Sequence, residues 1–116
     1  MARVLGPDND RTLNACNYLA AWRGAAGDAA GAAGVLQDLL AVRRAVRGPD
    51  HPDTLNVRGN HAYWLGRAGD AAGAASAFAV LVSDAVRVLG ADHADIVNLR
   101  ANLAYWETVA AGGAAS

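Results

Sequence analysis

A nine-residue phrase occurs three times in this chain, and each copy begins 42 residues after the one before. The phrase reads Gly-Pro-Asp-His-Pro-Asp-Thr-Leu-Asn in its middle copy, and the three copies begin at Gly6, Gly48 and Gly90. The register extends past the phrase, because residues 6–47 and residues 48–89 are identical at 19 of 42 positions. A fixed period of this length is typical of arrays in which one supersecondary unit stacks on its own copies.

The repeats organise the 116 residues as a single domain. We expect a first repeat at residues 6–47, a second at 48–89, a partial third at 90–110 and a tail at 111–116. Residues 3–6, Arg-Val-Leu-Gly, are identical to residues 87–90, where the second repeat ends and the third begins. We therefore interpret residues 1–5 as the last turn of an earlier helix. The chain is then a piece of a longer array, or its C-terminal end, that begins at an artificial Met.

Each full copy contains two helical patterns joined by a Gly-Asp turn. In the middle copy Pro52 suits the first position of a helix, Gly69 a helix stop, and Asp70 the cap of the next helix. The predicted buried stripe of the first helix contains Leu55, Val57, His61, Ala62, Trp64, Leu65 and Ala68, and that of the second contains Ala74, Phe78, Leu81, Ala85 and Val88. We predict five helices near residues 9–26, 28–46, 52–68, 70–88 and 94–110. Since one helix pair cannot bury its own apolar faces, the predicted fold is an all-α solenoid of antiparallel helix pairs, with two full repeats and one extra helix.

Three tryptophans, one in each first helix, keep the 42-residue spacing. Two glycines inside the second helices keep it as well. An aromatic ladder for ligands is one interpretation of Trp22, Trp64 and Trp106, but large residues at helical spacing in an alanine-rich core favour packing anchors. Gly31 and Gly73 each cost about 1 kcal/mol relative to Ala inside a helix. We expect a neighbouring helix to approach these two glycines too closely for a side chain.

The charge and the apolar pattern argue against several classes of partner. The net charge is −1, and the ten basic residues are all Arg. They are scattered except for Arg43, Arg44 and Arg47, which we interpret as a solvated helix C-terminus. Nucleic acids and anionic membranes need a basic stripe, so we expect neither as a partner. Cys16 is the sole cysteine, which rules out an intrachain disulfide. No apolar run approaches the roughly 18 residues of a membrane span, and no signal peptide follows Met1, so we expect a soluble, cytoplasmic protein.

No group of residues has the spacing of a catalytic or metal site. The glycines at residues 24–27 follow no strand and precede no Gly-Lys-Ser/Thr, so a phosphate loop is disfavoured. The phrases at residues 50–53 and 92–95 offer carboxylates and imidazoles without the His pairing or Cys spacing of a zinc site. Turn formation and helix capping, by His51 and His93, explain them. His61 shares the Trp64 face and should pack. We predict no catalytic residue, no metal and no cofactor, hence not an enzyme.

At this point the residues resemble a known family. Gly-Asp-Ala-Ala-Gly-Ala at the start of the second helix resembles a tetratricopeptide repeat. The 42-residue period and the joint Gly-Pro-Asp-His-Pro-Asp-Thr-Leu resemble the longer variety of kinesin light chains. Similar arrays follow the nucleotide-binding domain of bacterial signalling ATPases of the NB-ARC/STAND type. The resemblance implies a right-handed superhelix whose first helices line a concave groove that binds peptides or extended protein segments.

The resemblance also indicates which residues bind. An Asn in the middle of the family's first helix commonly bonds the peptide backbone, and Asn60 and Asn102 match that position. In the first copy Tyr18 stands there, with Asn17 one residue earlier, so that copy departs from the pattern. The repeated amides and phenols form an uncharged polar face that is either a binding surface or merely exposed. The candidate peptide-binding residues are Asn14, Asn56, Asn60, Tyr63, Asn98, Asn102 and Tyr105.

Two functions follow as hypotheses. The leading one is a non-enzymatic protein- or peptide-binding scaffold, within a larger signalling or sensor protein. The alternative is a structural module that self-associates through its open ends and has no external ligand. For the second, we expect the last helix to expose Val97, Leu99, Leu103 and Trp106, and the ends to associate at high concentration.

Overall fold

The computed structural model describes the backbone of residues 10–112 and the side chains of residues 17–112. This part of the chain forms five α-helices: α1 Asp10–Ala25, α2 Ala29–Arg47, α3 Pro52–Arg67, α4 Ala71–Leu89 and α5 Ala94–Ala110. Every predicted helix end lies within one residue of the observed one, so the five-helix prediction is confirmed. Residues 1–5, interpreted as the last turn of an earlier helix, lie outside the described residues.

Side chains in the turns between helices cap the first residues of the helices that follow. The Asp28 carboxylate accepts a hydrogen bond from the Gly31 backbone N–H at 2.9 Å, and Asp70 does the same for Gly73 at 2.9 Å. His51 Nδ1 accepts from the Asp53 N–H at 3.1 Å at the start of α3. These bonds satisfy backbone donors that the helices leave without an intrahelical partner. The capping roles predicted for Asp70 and His51 are confirmed.

The helices pack in chain order, so that each one lies against the next along the array. The second helices supply the apolar centre, with Leu36 and Leu39 of α2 in one cluster and Phe78 and Leu81 of α4 in the other. The predicted core positions of the second repeat are at least partly buried except Ala68, which follows the end of α3, and Val88; both of these are exposed, so the prediction is wrong for them. The pairwise packing confirms an all-α, tetratricopeptide-like solenoid.

Helix α4 corrects one sequence-based statement. Its 19 residues have a mean hydropathy of 1.6 over an 18-residue window, long and apolar enough by composition alone to cross a membrane. The expectation that no segment approaches that limit is therefore wrong. Phe78, Leu81 and Ala85 of this helix are buried against its neighbours, although only 22% of the apolar window is buried.

The close approach expected at Gly31 and Gly73 occurs at other glycines. A Cβ at Gly31 or Gly73 would meet the carboxylate of the Asp that caps its own helix, so the restriction there is local. The approach between helices occurs instead on the first helices. The ring of Trp64 lies against Gly24 of α1, and the ring of Trp106 lies against Gly66 of α3.

The three tryptophans therefore have different environments. Trp106 is 3% exposed, and its ring meets that of Tyr63 edge-on at 6.4 Å between centroids. Trp64 is half-buried against the α2 cluster, so the packing interpretation is confirmed for these two. Trp22 is 75% exposed and anchors nothing in the described part of the chain. The exposure expected for Trp106 is wrong as well, because its ring points inward onto Gly66.

The remaining expectations for the last helix have mixed outcomes. Val97 is 68% exposed, as predicted. Leu99 and Leu103 are only partly exposed, because they pack against the cluster that α3 and α4 form. The face turned away from α4 is therefore less apolar than the sequence predicted.

Charged side chains connect the second repeat to its joint. Arg58 of α3 donates from Nη2 to Asp84 Oδ2 of α4 at 2.8 Å. Arg87 lies 3.2 Å from the other Asp84 oxygen and 3.0 Å from Asp50 in the joint. The hydrogen bond from Arg58 is the main reason that the pKa of Asp84 lies below its ordinary value, and Arg87 adds to it. The network ties the end of α4 to the turn before α3.

The arginine cluster of α2 is not uniformly solvated. Arg44 and Arg47 are exposed, but Arg43 is 4% exposed and donates from Nη1 to Asp53 Oδ2 at 3.3 Å. The interpretation of Arg43 as a solvated residue is therefore wrong. A buried guanidinium needs such a partner because desolvating its charge is costly.

Candidate binding groove

A groove of about 780 Å³ lies along α3, between α1 and α5. Its apolar lining comes from both helices of the second repeat and from the next first helix, and it includes Leu55, Phe78, Ala85, Leu89 and Leu99. Its polar lining comes mainly from asparagines on three successive first helices, namely Asn17, Asn56, Asn60, Asn98 and Asn102. We call this cavity the amide groove.

The amides in the groove bond to one another within and between repeats. Asn60 Nδ2 donates to Asn17 Oδ1 of the preceding repeat at 3.1 Å and, at 3.4 Å, to Asn56 Oδ1 one turn earlier. Asn102 Nδ2 donates to the Asn98 backbone carbonyl at 3.0 Å. These bonds fix the amide planes, while each amide retains a second acceptor lone pair or donor for another molecule.

Five of the seven candidate residues line the amide groove: Asn56, Asn60, Tyr63, Asn98 and Asn102. Tyr105 is not among the lining residues; it is 53% exposed and packs edge-on against Trp106 at 4.7 Å between centroids. The corresponding Tyr63 lines the groove because a further first helix, α5, faces it. The side chain of Asn14 lies outside the described residues.

Asn17 is the groove residue that the repeat register did not select. It stands one position before the family's binding Asn, at the place of Gly59 and Ala101. The helical turn nevertheless brings its amide within hydrogen-bonding distance of Asn60. The sequence signal that could have identified Asn17 is its place next to the expected binding position. Adjacent residues of a helix are about 100° apart around the helix axis, so either one can reach the same groove.

Gly59 leaves room in the middle of the groove. A Cβ at this position would lie 3.6 Å from Leu81 and 3.7 Å from Leu99, which are ordinary contact distances. The α3 backbone is therefore accessible in the groove between the amides of Asn56 and Asn60. A side chain there would fill space that a ligand can use.

The groove lining contains few charged groups. Arg43 and Asp53 form an ion pair at 3.3 Å. The Asp95 backbone N–H donates to His93 Nδ1, so this nitrogen carries no proton in that bond and the Asp95 carboxylate 3.7 Å away is not neutralised by it. A lining that is largely amide and apolar suits an extended polypeptide.

One histidine outside the groove has a perturbed pKa. His61 is partly buried, and this burial, followed by the positive charge of Arg44, holds its pKa below the ordinary 6.5. Both effects disfavour the imidazolium. The partial burial of His61 agrees with the predicted packing role.

The described residues contain no group of three or more His, Cys, Asp or Glu side chains arranged to hold a metal ion. The polar side chains of the groove are instead exposed or partly buried asparagines and the pair of buried Arg43 with exposed Asp53. The chemistry that this arrangement performs is hydrogen bonding and apolar contact.

Comparison with known proteins agrees with the internal repeat. Residues 12–53 match the family model described as tetratricopeptide repeat. No curated protein matches the chain. The matched segment covers most of α1, all of α2 and the start of α3, and residues 54–95 occupy the same repeat positions 42 residues later. Such repeats are non-catalytic scaffolds that mediate protein–protein interactions. The matched repeat, its second copy and the observed helix pairs together support a tetratricopeptide-repeat protein of the long, kinesin-light-chain-like type.

Proposed function

We propose that the amide groove binds an extended peptide or protein segment and reads mainly its backbone. The observation that carries the proposal is the row of five asparagines from three successive repeats above a shared apolar floor. A carboxamide offers both a donor and an acceptor, which matches the alternating N–H and C=O groups of an extended chain. Binding of this kind is broad in sequence and modest in affinity.

The apolar floor supports the same function. Phe78 and Leu89 of α4, together with Leu99 of α5, line the groove below the amides. Pockets that combine an apolar surface with a few placed polar groups are the usual form of ligand sites. Apolar side chains of the bound segment would contact this floor while its backbone bonds the asparagines above.

The test uses peptides selected on the intact chain from a displayed library of random twelve-residue sequences. The best peptide is then titrated by calorimetry against the Asn60→Ala, Asn102→Ala double variant. Each lost hydrogen bond should cost roughly 0.5–1.5 kcal/mol, so the double variant should bind roughly tenfold to a hundredfold more weakly. Its melting temperature should fall only slightly, because Asn60 also donates two hydrogen bonds to neighbouring asparagines that each contribute about 0.5–1.5 kcal/mol at most.

The matched control is Gln37→Ala, which removes an exposed amide on α2 outside the groove. It should leave the affinity unchanged. Equal affinity of the double variant and the parent would contradict the proposal, as would a library that yields no peptide above background. A double variant that melts far lower would show that the two asparagines are structural.

The wider setting is also a proposal. A place within a larger signalling or sensor protein is supported by the resemblance to arrays attached to bacterial signalling ATPases. A cytoplasmic location is supported by the single cysteine, since domains of oxidising compartments commonly carry paired cysteines.

A further inference from the structure

The second and third repeats begin with the same local structure. At the start of α3 the His51 Nδ1 accepts from the Asp53 backbone N–H at 3.1 Å. At the start of α5 the His93 Nδ1 accepts from the Asp95 backbone N–H at the same distance, 3.1 Å. The two aspartates are 42 residues apart, and both line the amide groove. The repeat therefore places two equivalent carboxylates in one groove.

Only one of these carboxylates receives a guanidinium from the chain itself. Arg43 of α2 donates from Nη1 to Asp53 Oδ2 at 3.3 Å. In the next second helix, α4, the position of Arg43 is occupied by Ala85. No arginine in the described part of the chain forms an ion pair with Asp95, and the sequence has no lysine. The Asp95 side chain is 67% exposed, compared with 48% for Asp53, so its negative charge is left uncompensated in the groove.

The change from arginine to alanine also leaves space in the groove. Helix α4 packs against α5 as α2 packs against α3. Ala85, Leu89 and Asp95 all line the groove. The side chain of Ala85 ends at Cβ, whereas Arg43 extends from the same repeat position to the carboxylate that follows it. The third repeat thus has the carboxylate and the path to it, but not the cation.

We propose that the part of the amide groove between Ala85 and Asp95 is a subsite for an arginine side chain of the bound segment. This inference rests on the proposed function, in which the asparagines bind the backbone of that segment. The ligand's guanidinium would lie on Asp95 as the Arg43 guanidinium lies on Asp53, where one such pair is already present. Guanidinium and carboxylate groups match in geometry as well as in charge. The aliphatic part of the ligand's arginine would contact Leu89, since such stems pack on apolar surface.

The test selects peptides from a displayed library of random twelve-residue sequences, in parallel on the parent and on Asp95→Asn. The peptides selected on the parent should share an arginine at one aligned position, and those selected on the variant should not. The best parent peptide is then titrated by calorimetry beside a version with citrulline, the neutral isostere, in place of that arginine. Citrulline should weaken binding to the parent about fivefold, the upper range for an exposed ion pair. Asp95→Asn should bind the two peptides equally.

A second variant fills the subsite from within. Ala85→Arg places a guanidinium where α2 carries Arg43, so it should pair with Asp95 and remove the preference for arginine over citrulline. The matched control is Asp92→Asn, which removes an exposed carboxylate of the same joint that does not line the groove. This control should keep the preference. Melting curves check the fold of each variant, and if Ala85→Arg does not fold, the titrations on Asp95→Asn decide alone.

The outcomes separate this inference from the proposed function. Selected peptides without a shared arginine, or equal affinities of the arginine and citrulline peptides for the parent, would overturn the subsite and leave backbone binding by the groove intact. A preference for arginine that persists in Asp95→Asn would also overturn it, because another group would then hold the guanidinium. A library that yields no peptide above background would overturn both.

Discussion

Replacing Gly66 by Ala tests whether the contact between the Trp106 indole and Gly66 sets the spacing of the repeats. The new Cβ would lie 2.6 Å from the Trp106 ring, and an ordinary contact begins at 3.4 Å. The ring or the helix must therefore retreat by about 0.8 Å, the difference between these two distances. Trp106 is 3% exposed and packs against Tyr63, so little room is available for that movement.

Two opposing effects decide the sign of the change. Overpacking of a close-packed core typically costs about 1–3 kcal/mol. When the ring retreats, it also separates from its other neighbours, and a separation of roughly 0.5–1 Å removes a quarter to a half of the dispersion energy of each contact. Ala in place of Gly inside a helix returns about 1 kcal/mol. We expect Gly66→Ala to lower the free energy of unfolding by about 1 kcal/mol.

Gly34→Ala is the matched control, because Gly34 also lies inside a helix but a Cβ there would meet nothing within 4 Å. It should raise the free energy of unfolding by about 1 kcal/mol. For a domain of this size about 1 kcal/mol corresponds to roughly 4–8 °C in melting temperature, so the two variants should melt roughly 10 °C apart. Circular dichroism during heating and in urea measures both. If Gly66→Ala melts as high as Gly34→Ala, the ring relaxes at little cost and the contact does not set the repeat spacing.

Three further changes test single residues. Thr54→Val should raise the free energy of unfolding by about 1 kcal/mol, because an unsatisfied buried polar group costs about 1–3 kcal/mol. The Thr54 hydroxyl is such a group, since it has no hydrogen-bond partner among the described residues. Thr54→Ser keeps the hydroxyl and should show no gain of stability in urea unfolding. His51→Ala should lower the free energy of unfolding by about 0.5–2 kcal/mol, because it removes the cap of α3. His51→Asn should retain most of that stability, because Asn also caps helices. Equal melting temperatures of the two variants would contradict the capping role. The lowered pKa of His61 means that the unfolded chain binds the proton more readily, so stability should fall as the pH drops below 6.5. His61→Leu introduces the residue found at both corresponding positions and should remove this part of the pH dependence; an unchanged stability difference between about pH 7.5 and about pH 5 would show that His61 does not contribute.

The local features of the fold were predictable from the sequence. The five helices, the Asp70 and His51 caps and the α4 core positions follow from interactions between residues close in the chain or from the spacing of apolar residues. The candidate groove was predictable in part for the same reason, because Asn56, Asn60 and Tyr63 share one face of a helix. Their assembly over an apolar floor required the neighbouring helices.

Contacts between repeats were decided only by the tertiary structure. Gly31 looked like a point of close helix packing, yet its neighbour is its own capping Asp28, while Gly24 receives the indole of the next repeat. Asn17 enters the groove from an unexpected register position, and Arg43 is buried by its pairing with Asp53.

Trp22 and Trp64 show the physical reason most directly. They occupy the same position of the same repeat, so helix propensity, capping and periodicity treat them alike. One ring is 75% exposed, and the other is half-buried on Gly24. The repeated sequence determined that a large flat ring occupies both positions. Whether that ring is buried depends on whether another helix lies against it, because burial is a property of the pair of surfaces and not of the residue.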